Sequence, residues 1–209
     1  KKKVHICHVS KKDDILLIKE AKANGMNITC EVCPHHLFLS WEKLETIIDK
    51  GSKDERWRVC PSLGTEEDRL ALWDNMDIID CFATDHAPHT EQEKTNPKCR
   101  PPPGFASLEV VLPLLLNAVN QGLLTIEQLI QKFHTNPCQI LGIEIGDDTY
   151  SEVDMDQEWT IGENVWSKAK WHPYIGWKIR GKVIRTIING ETVFIDGEIV
   201  SRPSIKNIR

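Results

Sequence analysis

A short apolar run that ends abruptly in residues able to bind metal constrains this chain most. Residues 78–83 (IIDCFA) predict a short buried strand, and Asp85, His86 and His89 follow it directly. A buried strand that delivers a carboxylate and imidazoles at its C-terminal end is typical of the active site of an α/β barrel. The carboxylate can bind a metal ion and carry a proton, and an imidazole can hold a substrate anion. The alternative is a helix with Asp85 as its N-cap and the histidines on the surface.

A second run ends in the same way. Residues 4–10 (VHICHVS) are rich in β-forming residues and contain Cys7 and His8 just before Ser10, a helix-capping residue. Neighbouring residues of a strand face opposite ways, so Cys7 and His8 serve one metal only if the strand already breaks there. Otherwise they serve two neighbouring metals, or one of them belongs to the core.

A third strand is predicted at residues 27–33 (NITCEVC), and it runs into residues 34–36 (PHH). It carries Glu31, which needs a partner because burying an unpaired carboxylate is costly. Cys30 and Cys33 form a CxxC pair, but a strand points them to opposite faces. This spacing on a strand argues against a zinc knuckle or a redox pair.

The segments between these strands predict a parallel sheet. Residues 13–23 have the pattern of a helix, Ser10 with Asp13 resembles a capping box, and Gly25 ends the helix. Strand, helix and strand in this order predict a parallel βαβ unit. Further helices are predicted at residues 41–50, 66–75, 108–120 and 125–134. The last ends at residues 136–137 (NP) and is followed by one more turn at residues 138–141. A long loop, often a functional feature, is predicted at residues 90–104.

The character of the chain changes at about residue 145, where helical spacing gives way to short strands. The dipeptides Asn189-Gly190 and Asp196-Gly197 lie between apolar runs and are strong hairpin signals. They predict a small antiparallel sheet. We therefore predict an α/β fold with two parts, residues 1–144 and a β-rich subdomain at residues 145–209.

Composition excludes several classes of partner. A net charge of -5 over 209 residues and the lack of a long basic tract argue against a nucleic-acid surface. The sequence has no apolar run of membrane-spanning length and no signal peptide, so we predict no membrane partner. Seven cysteines without a framework spacing are typical of reduced thiols, which indicates a cytoplasmic protein.

Four motifs together resemble the dihydroorotase family. They are residues 4–9 (VHICHV), 30–39 (CEVCPHHLFL), 80–90 (DCFATDHAPHT) and 100–105 (RPPPGF). The DHAPH run is specific to cyclic amidohydrolases, and the PPPGF run narrows the resemblance to dihydroorotases rather than hydantoinases or allantoinases. The similarity extends from Val4 to about Val200 and is strongest to the dihydroorotase domain of the animal-type trifunctional protein.

The resemblance implies a fold, an activity and partners. Residues 1–144 would be the C-terminal portion of a TIM-type amidohydrolase barrel, and residues 145–209 would supply strands of a flanking β subdomain. The implied reaction is the reversible, zinc-dependent cyclisation of N-carbamoyl-L-aspartate to L-dihydroorotate in pyrimidine biosynthesis. Two catalytic zinc ions are implied, with a third in the animal-type domain. The implied partners are carbamoyl-phosphate synthetase and aspartate transcarbamoylase domains on the same chain, in a homo-oligomer.

The resemblance also implies metal ligands, position by position. His8 matches a ligand of one zinc, and Asp85 matches both a ligand of the other zinc and the general acid/base. Cys7 and Glu31 match ligands of the third zinc, with a core cysteine beside a carboxylate as the alternative. The remaining histidines are expected to orient ligands (His35 and His36) or to be structural or on the surface (His5, His134 and His172).

Three residues are implied to bind substrate: Cys60, His89 and Pro103. His89 matches a residue at the substrate carboxylate, and Pro103 is expected to contact substrate through its backbone. Cys60 departs from the pattern, because relatives have Arg or Asn at that position. Arg58 lies two positions earlier on the same strand face and is a candidate to replace the missing side chain.

Other ligands of the family are absent from this sequence, which contains no His-x-His pair. We therefore expect an incomplete domain that is inactive alone. Two other functions stay open: a catalytically dead dihydroorotase-like scaffold, or another cyclic amidohydrolase such as a dihydropyrimidinase. The joint presence of His8, Asp85 and His89 favours an active enzyme.

Overall fold

The computed structural model describes residues 2–45, 55–162 and 166–202. It contains two sheets and several short helices. The strands are β1 (Val4–Ile6), β2 (Ile28–Val32), β3 (Cys81–Phe82), β4 (Tyr150–Thr160), β5 (Lys178–Ile188), β6 (Glu191–Ile195) and β7 (Glu198–Ile199). The α-helices are α1 (Lys12–Ala23), α2 (Pro34–Phe38), α3 (Trp41–Glu45), α4 (Glu66–Asp74), α5 (Glu91–Thr95), α6 (Val111–Asn120), α7 (Ile126–Ile130) and α8 (Asn136–Leu141).

The first sheet is parallel, with the strand order β1-β2-β3. Strand β1 pairs with β2 from Val4–Ile28 to Ile6–Cys30, and β2 pairs with β3 at Glu31–Cys81 and Val32–Phe82. The predicted parallel βαβ unit is confirmed. Because all three strands run the same way, their carboxyl ends lie side by side at one end of the sheet. The core beside it includes Ile15, Ile18, Cys30, Val32, Leu72, Cys81 and Phe82.

Helix α1 begins differently from the expectation, and the predicted capping box of Ser10 and Asp13 is wrong. The N-cap residue is Lys11, which makes no side-chain capping bond. The N–H group of Lys12 instead donates to Asp68 Oδ1 of helix α4 at 2.9 Å. A residue 56 positions away thus satisfies a helix start that local sequence does not cap.

Strand β3 is shorter than the predicted run, and Asp80 lies directly before it. The Asp80 carboxylate accepts hydrogen bonds from the Cys30 N–H group at 2.7 Å and from Lys22 Nζ at 2.5 Å. These bonds tie the start of β3 to strand β2 and helix α1. They also give the part-buried Asp80 carboxylate the hydrogen-bond partners that burial of a carboxylate requires.

One prediction in this region needs correction. The segment predicted as a long loop contains helix α5, which a capping box of Thr90 and Glu93 begins. Helix α3 covers all the described residues of the helix predicted at 41–50, and residues 46–50 lie outside the described residues. The predicted helix at 66–75 is confirmed as α4, which has a capping box of Thr65 and Asp68.

Helix α6 accommodates Pro113 in its first turn, where a backbone N–H group has no partner within the helix. The next helix does not end at residues 136–137, as predicted. Helix α7 continues through a π turn at Gln131–Thr135 into α8. The predicted turn at residues 138–141 is confirmed as part of α8, whose second residue, Pro137, has no N–H group to donate back to the π turn. Gly142, with φ of 68°, then ends the helix.

The second sheet is antiparallel, with the order β4-β5-β6-β7. Asn189 and Gly190 join β5 to β6 with φ of 52° and 77°, and Asp196 and Gly197 join β6 to β7 with φ of 49° and 93°. Positive φ at both central residues is the condition for a type I′ turn. Both predicted hairpins are confirmed.

The chain divides into two compact units. One comprises Lys1–Val111 and Gly162–Ile175, and the other comprises Leu112–Ile161 and Gly176–Arg209. These bounds differ from the predicted division at residue 144. That division describes the two parts that residues 1–144 and 145–209 would belong to in a complete domain, and it stays a prediction. Within the described ranges, no helix is long and apolar enough to cross a membrane.

We expect residues 1–209 expressed alone to lack a cooperative unfolding transition and to show no dihydroorotate turnover. The described three-stranded sheet has β1 and β3 as its edges, and Leu17 and Met26 beside it are 68% and 62% exposed. Open strand edges and exposed apolar side chains favour association over a single folded monomer. Calorimetry and sedimentation test this, and a sharp two-state melt of a monomer would contradict it.

Candidate metal and substrate site

The polar residues predicted to form the site lie where the parallel strands end. Strand β1 ends at Ile6, so Cys7 and His8 lie beyond it, and Asp85 follows β3. His8 and Asp85 have φ of 39° and 43°, which few non-glycine residues adopt. Both strands therefore break at the predicted site. This break meets the condition under which Cys7 and His8 can turn toward one metal.

The imidazole of His8 and that of His35 lack ordinary partners. His8 Nδ1 and both ring nitrogens of His35 are buried and accept or donate no hydrogen bond among the described residues. His35 Nε2 lies 3.9 Å from Asp85 Oδ2, beyond hydrogen-bond range. Burial lowers the pKa of His35 well below its usual value, with further lowering from His36 and His8. A neutral imidazole is the form that binds metals.

The carboxyl group of Asp85 is half-buried and electrostatically coupled to its neighbours. Burial raises the pKa of Asp85, the charge of Glu31 raises it further, and His8 lowers it. Burial also raises the pKa of the Cys7 thiol, with contributions from Glu31 and Asp85. The four predicted ligands Cys7, His8, Glu31 and Asp85 therefore lie close enough to influence one another.

Glu31 has the partner that a strand carboxylate needs. Its Oε2 atom lies 3.1 Å from His5 Nε2, and its Oε1 atom accepts a long hydrogen bond of 3.4 Å from the His8 N–H group. His5 Nδ1 lies 2.8 Å from Thr29 Oγ1. The ligand atoms of His5, Glu31 and Cys81 all lie within 4.8 Å of one another.

His5 is the residue that the sequence interpretation underrated, since it was expected to be structural or on the surface. The signal was its spacing: His5 and Cys7 are two positions apart, so a strand would point both to one face. The strand ends at Ile6, but His5 still faces Glu31 across the parallel pair β1 and β2.

A second cluster lies at the end of strand β2. The ligand atoms of Cys33, His35 and His36 lie within 4.8 Å of one another, and all three residues are buried. His36 Nε2 lies 3.2 Å from the Pro61 carbonyl oxygen, and burial lowers the pKa of His36 to about 4. Burial raises the pKa of the Cys33 thiol far above its usual value. These pKa shifts favour the neutral form of all three groups. The expectation that His35 and His36 orient the metal ligands stays a prediction.

The predicted substrate residues lie on three segments that backbone bonds join. The Gly104 N–H group, next to Pro103, donates to the Arg58 carbonyl oxygen at 3.1 Å, and the Ala87 N–H group donates to Phe105 O at 3.1 Å. Cys60 and Pro103 are exposed, and His89 is half-buried. The structure therefore connects the segments that carry the three residues.

Two side chains here have structural roles. Arg58 Nη1 donates to the Pro101 carbonyl oxygen at 2.7 Å and so holds the loop, and the idea that Arg58 replaces the side chain missing at Cys60 stays a prediction. His86 Nδ1 accepts from the N–H groups of Ser107 and Leu108 at 3.0 and 3.1 Å. His86 thus holds the turn that follows the loop, and the roles of Asp85 and His89 stay predictions.

The chain is similar in sequence to proteins from three organisms. The chain is 47% identical over 201 residues to the multifunctional protein CAD of Squalus acanthias and 50% identical over 202 residues to the multifunctional protein pyr1-3 of Dictyostelium discoideum. It is 41% identical over 210 residues to the dihydroorotase of Pyrococcus furiosus. The resemblance to dihydroorotases is confirmed. No family model matches the chain.

These matches cover nearly all of this chain but only part of each relative. They span 96% to 97% of this chain, but 9% of each multifunctional protein and 48% of the Pyrococcus enzyme. The chain spans about half the length of the dihydroorotase it matches, and it corresponds to the C-terminal part of the domain.

Solved structures similar to this chain are amidohydrolases and a dihydroorotase-like domain. The inactive dihydroorotase-like domain of the Chaetomium thermophilum CAD-like multifunctional protein is 29% identical, with a TM-score of 0.76 over 97% of this chain and 54% of that one. The L-hydantoinase of Arthrobacter aurescens is 25% identical, with a TM-score of 0.82 over 94% and 46%. The predicted α/β class is confirmed as that of part of an amidohydrolase.

Proposed function

We propose that this chain is the C-terminal part of a dihydroorotase domain, which interconverts N-carbamoyl-L-aspartate and L-dihydroorotate. The observation that carries the proposal is that Cys7, His8 and Asp85 lie just past the ends of parallel strands, with Glu31 on the neighbouring strand and its Oε1 atom 3.4 Å from the His8 N–H group. The 41% identity to a dihydroorotase over nearly the whole chain supports the substrate class. In the complete domain, residues 1–144 would belong to a TIM-type barrel, and residues 145–209 to a flanking β subdomain.

The ligand set fits zinc. A buried His8 Nδ1 without a partner, a thiol and two carboxylates are the donor types that Zn²⁺ takes in proteins. We assign His8 and Asp85 to a catalytic pair of zinc ions, and Cys7 and Glu31 to a third. When bound, zinc would polarise the amide carbonyl and make water a nucleophile near neutral pH.

Asp85 would carry the proton in this reaction. In ring opening it takes a proton from the attacking water and delivers it to the ring nitrogen that leaves, and in ring closure the transfer is reversed. Its half-buried position next to Glu31 raises its pKa, which makes it a better base than an exposed Asp. His89 would bind the substrate carboxylate, and the backbone near Cys60 and Pro103 would contact the ring.

Cys60→Arg in the complete protein should change the Michaelis constant for dihydroorotate by less than tenfold, or about 1.4 kcal/mol. We expect a small effect because Cys60 is exposed and its position would act through the backbone. Ser62→Arg, at a nearby exposed position, is the control for added charge. A change well beyond tenfold, specific to Cys60→Arg, would show that the side chain takes part in binding.

The parent protein would combine this domain with others. The matches to multifunctional proteins support carbamoyl-phosphate synthetase and aspartate transcarbamoylase domains on the same chain. We propose a homo-oligomer located in the cytoplasm, which acts on a small-molecule substrate without nucleic-acid or membrane partners.

One alternative has an observation in its favour. The inactive dihydroorotase-like domain of Chaetomium thermophilum shares the fold, so a scaffold role is the second candidate. A substrate panel on the metal-loaded complete protein separates the candidates. Turnover of dihydroorotate without turnover of dihydrouracil supports the proposal, dihydrouracil turnover indicates a dihydropyrimidinase, and neither activity indicates the scaffold.

A further inference from the structure

Lys94 is a buried cation that the proposed reaction does not use. Its side chain is in helix α5, and the residue is only 1% exposed. Among the described residues, it contacts no carboxylate within ion-pair range. Burying a lysine without a counter-ion is costly, so the surrounding groups must compensate the charge.

Two carbonyl oxygens and two aromatic rings provide this compensation. Lys94 Nζ donates to the carbonyl oxygens of Arg58 at 2.8 Å and Pro102 at 2.9 Å. It also lies 5.0 Å from the ring centre of Phe105 and 5.8 Å from that of Trp171, within cation–π range. Burial still disfavours the charged form of the amine: desolvation, together with the charge of Arg58, lowers the pKa of Lys94 to about 8.

These contacts connect the segments of the proposed substrate residues. Arg58 lies two residues before Cys60, and Pro102 lies directly before Pro103. Helix α5, which carries Lys94, begins two residues after His89, and the capping box of Thr90 and Glu93 makes its first turn rigid. One ammonium group thus adds side-chain bonds to three pieces of backbone that the Gly104–Arg58 and Ala87–Phe105 bonds also join.

We propose that Lys94 is a positioning residue, which holds the Pro-rich loop against the Arg58–Cys60 segment and so places Pro103 and His89 for substrate binding. The inference rests on the proposed function. Lys94 does not touch substrate itself. Its loss should weaken substrate binding and leave the proton transfer by Asp85 and the metal ligands intact, because none of these groups contacts Lys94.

The test uses the complete protein with Lys94→Met, an unbranched side chain one heavy atom shorter than Lys, which removes the hydrogen-bond donors. We expect the Michaelis constant for dihydroorotate to rise at least tenfold, the turnover number to stay within threefold, and the zinc content to stay unchanged. Lys98→Met, at an exposed position in the same loop, is the matched control and should change neither constant.

The outcomes separate the inference from the function on which it rests. If the wild type does not turn over dihydroorotate, the proposed function fails. If the wild type is active and folded Lys94→Met keeps its Michaelis constant within twofold, or loses turnover instead, the positioning role is overturned. If Lys94→Met does not fold, Lys94→Gln, whose amide can still donate to one of the two carbonyls, should raise the Michaelis constant at least threefold, and a value within twofold overturns the positioning role.

Discussion

Asp85→Asn should lower the turnover number for dihydroorotate by about a thousandfold in the complete protein. The amide of Asn has nearly the shape of the carboxylate but cannot accept and return a proton. General acid–base catalysis contributes factors of about 10² to 10⁴, and Asp85 is also a proposed metal ligand. The measurement is steady-state kinetics in both directions of the reaction, with zinc content determined on the same samples.

The control for this variant is Asp77→Asn. Asp77 is exposed and lies outside the predicted strand end, so its neutralisation should leave turnover unchanged. A metal-loaded Asp85→Asn protein that kept more than a tenth of the wild-type turnover number would contradict the role of Asp85. Loss of zinc together with activity would assign the effect to ligation.

Gly104→Ala should destabilise the complete domain by about 3 kcal/mol, from backbone strain and overpacking together. Gly104 has φ of 128°, and a Cβ atom there would lie 2.5 Å from Ala87 Cβ and 2.6 Å from Ala87 O. The loop cannot easily move away, because Gly104 N is bonded to Arg58 O and Phe105 O accepts from Ala87 N. The free energy of unfolding from urea titration measures this loss.

Two further variants isolate the cause of that loss. Gly122→Ala has a positive φ of 73° but open space around the new Cβ atom, so it should cost only about 1 kcal/mol. Ala87→Gly combined with Gly104→Ala removes the Cβ contact but not the carbonyl contact, and should restore part of the loss. Equal stability of the Gly104→Ala and Gly122→Ala variants would show that the close approach to Ala87 has no effect.

Sequence reasoning predicts those parts of the fold that short-range chemistry determines. The apolar runs before Cys7, Glu31 and Asp85 indicate parallel strands whose ends meet, because consecutive βαβ units have little freedom in their connection. The turns at Asn189 and Asp196 follow from the need for positive φ in tight hairpins. Each apolar run and each turn dipeptide with its flanking strands lies within about ten consecutive residues, so local sequence is enough to predict it.

Features that depend on distant partners are not readable in this way. Lysine is normally exposed, so nothing in residues 90–95 indicates that Lys94 is buried between two carbonyls. The start of helix α1 depends on Asp68, and the role of Arg58 depends on Pro101. The last two bonds join residues 56 and 43 positions apart, and only the folded chain brings these residues together.

The most direct test of the proposed centre is a crystal structure of the complete protein with dihydroorotate, with anomalous diffraction recorded at the zinc edge. We predict zinc peaks about 2.0–2.2 Å from a ring nitrogen of His8 and an oxygen of Asp85, with the substrate carboxylate at His89. Zinc bound away from His8 and Asp85, or substrate bound away from His89, would contradict the account.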